Sequence, residues 1–295
     1  MNIIDNKKIY FTISGVLVVV SLFSIFMWGI QLGIDFKGGT LIEVEYGATR
    51  PDIRTIEALI AEFSLGDVRI QEAGEKGIII RTRTLDNIEH ISLLSSLKTG
   101  DETLFEKRFT SVGPILGEEL KNKAITALII TTIVIVLFIA YAFRHISDSV
   151  KSWKYGIAAI LALLHDVIIP TGMLSALGKF YGVEADALFI TALLAILGLS
   201  INDTIVVFDR IRENLKNKIS KNFIDTVNIS LNQTITRSVN TSVTTLLALV
   251  SLFFFGPEST RIFSLVLIVG LVVGTYSSIF IASLLLIILQ NKKNR

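Results

Sequence analysis

The chain has 295 residues, of which 51% are hydrophobic and only 18% charged, with a mean hydropathy of +0.64. Soluble domains carry about 25% charge, so this composition argues against an ordinary cytosolic enzyme. The formal charge of +2 divides into −4 over residues 36–121 and +6 over the rest, which speaks against nucleic acid as a partner. The chain contains no cysteine, and that excludes disulfides, thiolate metal sites and cysteine nucleophiles.

Four stretches contain no charged residue: 11–34, 124–143, 238–257 and 262–290. Each is long enough, at about 1.5 Å per helical residue, to cross a hydrocarbon layer of about 30 Å. Two further apolar segments are interrupted by His165 and Asp166 and by Asp203. Six spans are therefore expected, at 11–31, 124–143, 155–177, 187–208, 238–256 and 262–290. The first apolar run is too long for a signal-peptide core and no small-x-small site ends it, so it reads as a retained anchor. Lys and Arg in the short loops set the orientation. Lys7 and Lys8, then Arg144, Lys151 and Lys154, then the six basic residues between 210 and 237, then Lys292, Lys293 and Arg295 all fall on one side. The other side has only Lys179 and Arg261 in its short loops. Both termini are expected in the cytoplasm, with residues 36–121 outside.

Those 86 or so residues suffice for a small domain. Residues 40–46 (TLIEVEY) alternate as a half-buried strand does. Pro51 fits the first turn of a helix carrying Ile53, Ile56, Leu59, Ile60 and Phe63. Residues 67–72 and 77–84 read as a strand pair. Asp86 fits the cap of a second helix, with Ile88, Ile91, Leu94 and Leu97 on one face and Gly100 at its end. Residues 103–112 complete the order βαββαβ, the ferredoxin-like α+β arrangement. Nothing in this segment looks catalytic, no metal site is expected, and His90 and His145 read as surface histidines.

Asp203 is the most informative position. It lies about 9 Å from the middle of a span centred near residue 197, where an Asp costs about 2.5–3.5 kcal/mol and normally pairs, faces a cavity or moves protons. Ser200, Asn202 and Thr204 are candidate hydrogen-bond partners. Arg237 is the candidate counter-charge, because Gln233, Arg237, Asn240 and Thr244 recur at helical spacing and define one polar face. The alternatives are a structural carboxylate and an Arg reaching to the headgroups. For His165 and Asp166 a structural role is favoured over direct transport, since Ala158, Ala162 and Asp166 form a small-residue stripe suited to close helix contact. Residues 209–213 (DRIRE) read as a solvated helix end. Gly38, Gly39 and Gly113, beside the membrane, are candidate hinge positions.

Five ordered motifs, with the segment that follows the last of them, carry a resemblance over nearly the whole chain. They are GIDFKGGT at 33–40, SVGPILGEEL at 111–120, LLHDV at 163–167, GLSINDTIVVFDRIREN at 198–214 and QTITRSVNTSVTTLLAL at 233–249; GPESTRIFSLVLIVGLVVGTYSS follows at 256–278. In this combination the sequence resembles the SecF members of the SecD/SecF family of bacterial protein-export membrane proteins. The resemblance implies one half of a resistance-nodulation-division fold, with SecD supplying the other six spans. It also implies work with the Sec translocon (the SecY channel) on preproteins late in translocation, in the cytoplasmic membrane. Protons are then the coupling ion, no cofactor is expected, and the family's essential acid and arginine fall on Asp203 and Arg237. The competing functions are an efflux subunit of the same superfamily and a passive scaffold. No enzyme is expected, because the spans offer no nucleophile–base pair.

Overall fold

The structure is a computed structural model in which residues 4–47, 49–98, 103–143 and 152–291 are described. Gly100, Arg144, His145, Lys151, Lys292, Lys293 and Arg295 lie outside the described residues. Contacts divide the chain into a helical unit, residues 1–31 and 126–295, and a smaller unit, residues 32–125.

Six helices among the described residues are long and apolar enough to span a membrane: Ile4–Trp28, Pro114–Ala142, Trp153–Tyr181, Ala187–Lys216, Phe223–Phe255 and Glu258–Gln290. They match the six expected spans, and most overrun them, because a helix continues past its apolar stretch wherever its ends reach a polar medium. We label the helices α1 (Lys7–Trp28), α5 (Pro114–Ala142), α6 (Ser152–Tyr181), α7 (Ala187–Lys216) and α8 (Phe223–Phe255). The sixth span has three parts: α9 (Arg261–Tyr276), a π-helical turn Ser277–Ala282, and α10 (Ser283–Asn291). Such a turn holds an extra residue and often marks a functional position in a helix.

Apolar side chains gain little by packing together in lipid, so spans associate through small residues and buried hydrogen bonds. The α1–α6 contact works this way. Ser24 donates to the Gly172 carbonyl at 2.9 Å, and Ser175 donates to the Gly29 carbonyl at 2.6 Å. A Cβ on Gly172 would collide with Ser21, and one on Gly270 of α9 would collide with Ile196 of α7. Ala158, Ala162 and Asp166 are all buried, as their spacing implies.

The smaller unit contains α2 (Ile34–Lys37), β1 (Gly39–Glu45), α3 (Ile53–Ile60), β2 (Arg69–Ala73), β3 (Gly77–Thr82), α4 (Asn87–Lys98) and β4 (Phe105–Val112). The antiparallel sheet has the order β2-β3-β1-β4, the ferredoxin-like order. Its core joins Ile42 and Val44 of β1 and Ile78 and Ile80 of β3 to Ile56, Leu93 and Leu97 of the helices. Asp86 caps α4 as expected. Its carboxylate accepts from the Glu89 N–H at 2.8 Å, while Glu89 accepts from the Asp86 N–H at 3.2 Å, a reciprocal capping box. Arg83 also bonds Glu89, and these donors hold its carboxyl at about 2.

Three local expectations are corrected. Pro51 lies just outside α3, which starts at Ile53 after Asp52. On α4, Ile88 and Ile91 are 76% and 63% exposed while Leu93 is fully buried. A repeat of three drifts by about 60° per step around a helix, so a stripe at 88, 91, 94 and 97 cannot stay on one face. His90 is not an ordinary surface residue: its ring stacks on Phe109 with centroids 3.8 Å apart, and its Nε2 lies 3.1 Å from Glu106.

Gly38 and Gly39 have φ of +78° and +128°. A Cβ on Gly38 would stand 2.7 Å from the Pro114 Cα, and one on Gly39 would stand 2.7 Å from the Thr82 carbonyl oxygen. Both positions need glycine twice over, for backbone conformation and for close approach. Gly113 has neither constraint.

Candidate functional site

Among the described residues, two carboxylates are buried in the helical unit, Asp166 on α6 at 0% exposure and Asp203 on α7 at 7%. Asp203 sits close to the midpoint of the 30-residue α7. It shares a narrow cleft with Leu199, Ser200, Gly270, Leu271, Gly274 and Thr275, where the two glycines let α9 approach α7 closely. The hydroxyls of Ser242 on α8 and Thr275 on α9 face it, and they bond each other at 2.6 Å.

Helix α8 begins at Phe223, well before Arg237, so Arg237 lies within a continuous helix. Its guanidinium is within electrostatic reach of Asp203, but no direct ion pair joins the two among the described residues. Arg237, Asn240 and Thr244 are exposed on a polar stripe of this helix. A guanidinium and a carboxamide on a spanning helix are costly against lipid and are normally covered by another polar surface.

Other expected partners of Asp203 go elsewhere. Asn202 is exposed, and Thr204 bonds the Ser200 carbonyl at 3.1 Å and the Ser278 hydroxyl at 2.8 Å. Sequence neighbours of a helical residue lie about 100° away on the helix, so neither Asn202 nor Thr204 shares its face. Gln233 accepts from Arg210 at 2.7 Å and from Asn214 at 2.8 Å, tying α8 to the end of α7 instead of facing Asp203. Arg210 is therefore not part of a wholly solvated charge run, although Asp209 and Glu213 are exposed.

Asp166 is the better satisfied of the two acids. It accepts from His165 Nδ1 at 2.9 Å, from the Ser277 hydroxyl at 2.8 Å and from the Ser200 hydroxyl. His165 Nε2 lies 3.1 Å from the Ser14 hydroxyl. This network joins α1, α6, α7 and the π-helical turn. Ser14, Ser242, Thr275 and Ser277 were not singled out by sequence reasoning. Hydroxyls are common in membrane helices and no charge marks them, so only the packing identifies them. Among the described residues no group of three His, Cys, Asp or Glu could hold a metal ion.

Among the described residues, six helices long and apolar enough to span a membrane, with buried acids and, between the first two in sequence, a small ferredoxin-like unit, define a multi-pass membrane protein with ionisable groups in its interior. The family model for the protein export membrane protein SecD/SecF, C-terminal, matches residues 93–292, and that for the SecD/SecF GG motif matches residues 23–49. The chain belongs to the SecD/SecF family of protein-export membrane proteins. The protein translocase subunit SecF of Thermobaculum terrenum is 39% identical over 99% of this chain and 95% of the relative. That of Pseudomonas aeruginosa is 36% identical over 97% and 90%. The crystal structure of SecDF, a translocon-associated membrane protein from Thermus thermophilus, superposes with a TM-score of 0.85 at 34% identity. It is matched by all of this chain, which spans 39% of the length of that protein.

Proposed function

We propose that this chain is the SecF half of a proton-driven accessory to the Sec translocon. A SecD-type partner supplies the complementary half, as the fused SecDF relative supports, and the pair draws on the proton-motive force to promote late preprotein movement through the SecY channel. The bacterial cytoplasmic membrane is its site, with both termini in the cytoplasm and residues 36–121 outside. The observation that carries the reading is buried Asp203 with Arg237 within electrostatic reach on an exposed polar stripe, no direct ion pair joining them among the described residues. Arg237 stays charged at any accessible pH, so Asp203 is the member of the pair that can exchange a proton. The uncovered stripe is where the partner's polar helices belong.

In this reading Asp203 is loaded from one side and released to the other as the pair changes conformation, and the protonation state shifts the population of the outer unit's orientations. Protons are the coupling ion and no cofactor takes part. The test is co-purification in mild detergent followed by reconstitution. The chain is expected to bring a SecD-type protein with it. Asp203→Asn is expected to leave that complex assembled and to remove proton-dependent export. Full proton-dependent export by the Asn variant would overturn the reading.

A further inference from the structure

The second buried acid has no part in that scheme, yet it is built as a place where a proton can reside. Asp166 and His165 are 0% and 6% exposed and bond each other at 2.9 Å. With a neutral imidazole and an ionised carboxyl, the pair carries one negative charge in a region where an uncompensated charge is costly. One added proton removes that charge in either of two ways. It can sit on His165 Nε2, giving imidazolium against carboxylate, or the Nδ1 proton can pass to Asp166 Oδ1 as Nε2 is protonated, giving imidazole against carboxylic acid.

The surrounding donors can follow either change without stranding a buried group. Ser14, 3.1 Å from Nε2, donates to the imidazole or accepts from the imidazolium by turning its hydroxyl. Ser277 has a second acceptor in the Gly274 carbonyl at 3.1 Å, so it can release Asp166 Oδ2 when the acid forms. Ser200 bonds that same oxygen and also lines the Asp203 cleft. One hydroxyl therefore touches both acids' surroundings. On the helices packed around the pair, Tyr276 of α9 faces Ser14 and donates to the Tyr10 carbonyl at 3.0 Å, and Asp203 of α7 shares its cleft with Ser200, while the Lys and Arg of α1, α6, α7 and α9 lie toward the helix ends. Among the described residues no Lys or Arg bonds the pair.

We propose that His165 and Asp166 form a second protonatable station, which takes up one proton and exchanges it with the Asp203 cleft through Ser200. This rests on the proton-coupled reading of Asp203 above. The experiment uses the complex of this chain with its SecD-type partner in vesicles, with proton-dependent preprotein export followed as a function of pH. His165→Gln keeps a donor and an acceptor in place but cannot titrate. It is expected to assemble normally, to slow export about tenfold and to alter the shape of the pH profile. Asp166→Asn is expected to act in the same direction, and infrared difference titration should show a carboxylic-acid band lost in Asp166→Asn and a separate one lost in Asp203→Asn. If Asp166→Asn does not assemble, His165→Gln decides. A wild-type rate and pH profile in His165→Gln, with Asp203→Asn inactive, would overturn the station and leave the pair a packing joint. Full activity of Asp203→Asn would instead overturn the reading beneath it.

Discussion

Asp166 and Asp203 are buried in one bundle, and Ser200, a bond partner of the first, is three residues from the second on α7. Their surroundings nevertheless differ in kind. Asp166 takes hydrogen bonds from a histidine and two serines on three elements of this chain. Asp203 faces two hydroxyls and, further off, a guanidinium whose helix face is exposed. The first environment is complete within the chain and holds helices together. The second fits half of a site that the proposed partner would complete. In a medium without water, polar groups at depth must be satisfied by protein, and such a partner would cover the open stripe.

That contrast predicts different outcomes for substitutions in the two environments. The largest effect on transport is expected from Asp203→Asn, a loss of about a hundredfold or more in proton-dependent export with an unchanged thermal midpoint. A lowered midpoint with export preserved would take Asp203 out of the proton path. Ser277→Ala should fall mainly on stability. It removes one donor from a fully buried carboxylate, at a cost of about 1–3 kcal/mol, readable as a lower unfolding temperature of the purified chain. Ser200→Ala would be a poorer test, because Ser200 belongs to both environments.

Arg237→Lys keeps the charge and loses the planar fork. Export should fall severalfold and not vanish, with no change in the chain's own stability, since no direct ion pair is broken. A stability loss as large as that of Ser277→Ala would mean the stripe is already covered within the chain.

The smallest effect concerns a third, solvated carboxylate. Glu89 is held down to about 2 from an ordinary 4.5 by Arg83 and the Asp86 N–H. Its folded value lies below its unfolded one, so the stabilisation is present above about pH 4.5 and is lost as pH falls towards about 2. Thermal unfolding of the smaller unit within the full chain should therefore separate wild type from Glu89→Gln at neutral pH, with the difference closing on acidification. Being exposed, the pair should contribute little in total. A gap that stayed constant down to pH 2 would remove the charged hydrogen bond from the explanation.

Four uncharged stretches, with two further apolar runs between them, made the six spans legible, because no soluble architecture needs so many apolar runs of that length. The ferredoxin-like order was also legible, since the repeating pattern changes from two to about 3.6 at each strand–helix junction, and Asp86 announced the start of α4. Which face of α4 turns inward was not legible. Ile88 and Ile91 are as apolar as Leu93 and Leu97, and only docking on the sheet distinguishes them.

For the site, Asp203 and Arg237 stood out because charge is costly at membrane depth, and a linear pattern displays charge directly. Their neighbours did not stand out. Asn202 and Thr204 adjoin Asp203 in sequence and point elsewhere, whereas Ser242 and Thr275 come from other helices. Sequence alone determined the number of spans and the topology of the small unit and pointed to Asp203 and Arg237 as charges at membrane depth, all of which follow from local periodicity and the cost of burying charge. Tertiary structure alone decided that Ser14, His165, Asp166, Ser200 and Ser277 form one network, because hydrogen bonds between helices depend on packing angles that small residues permit and no single helix encodes.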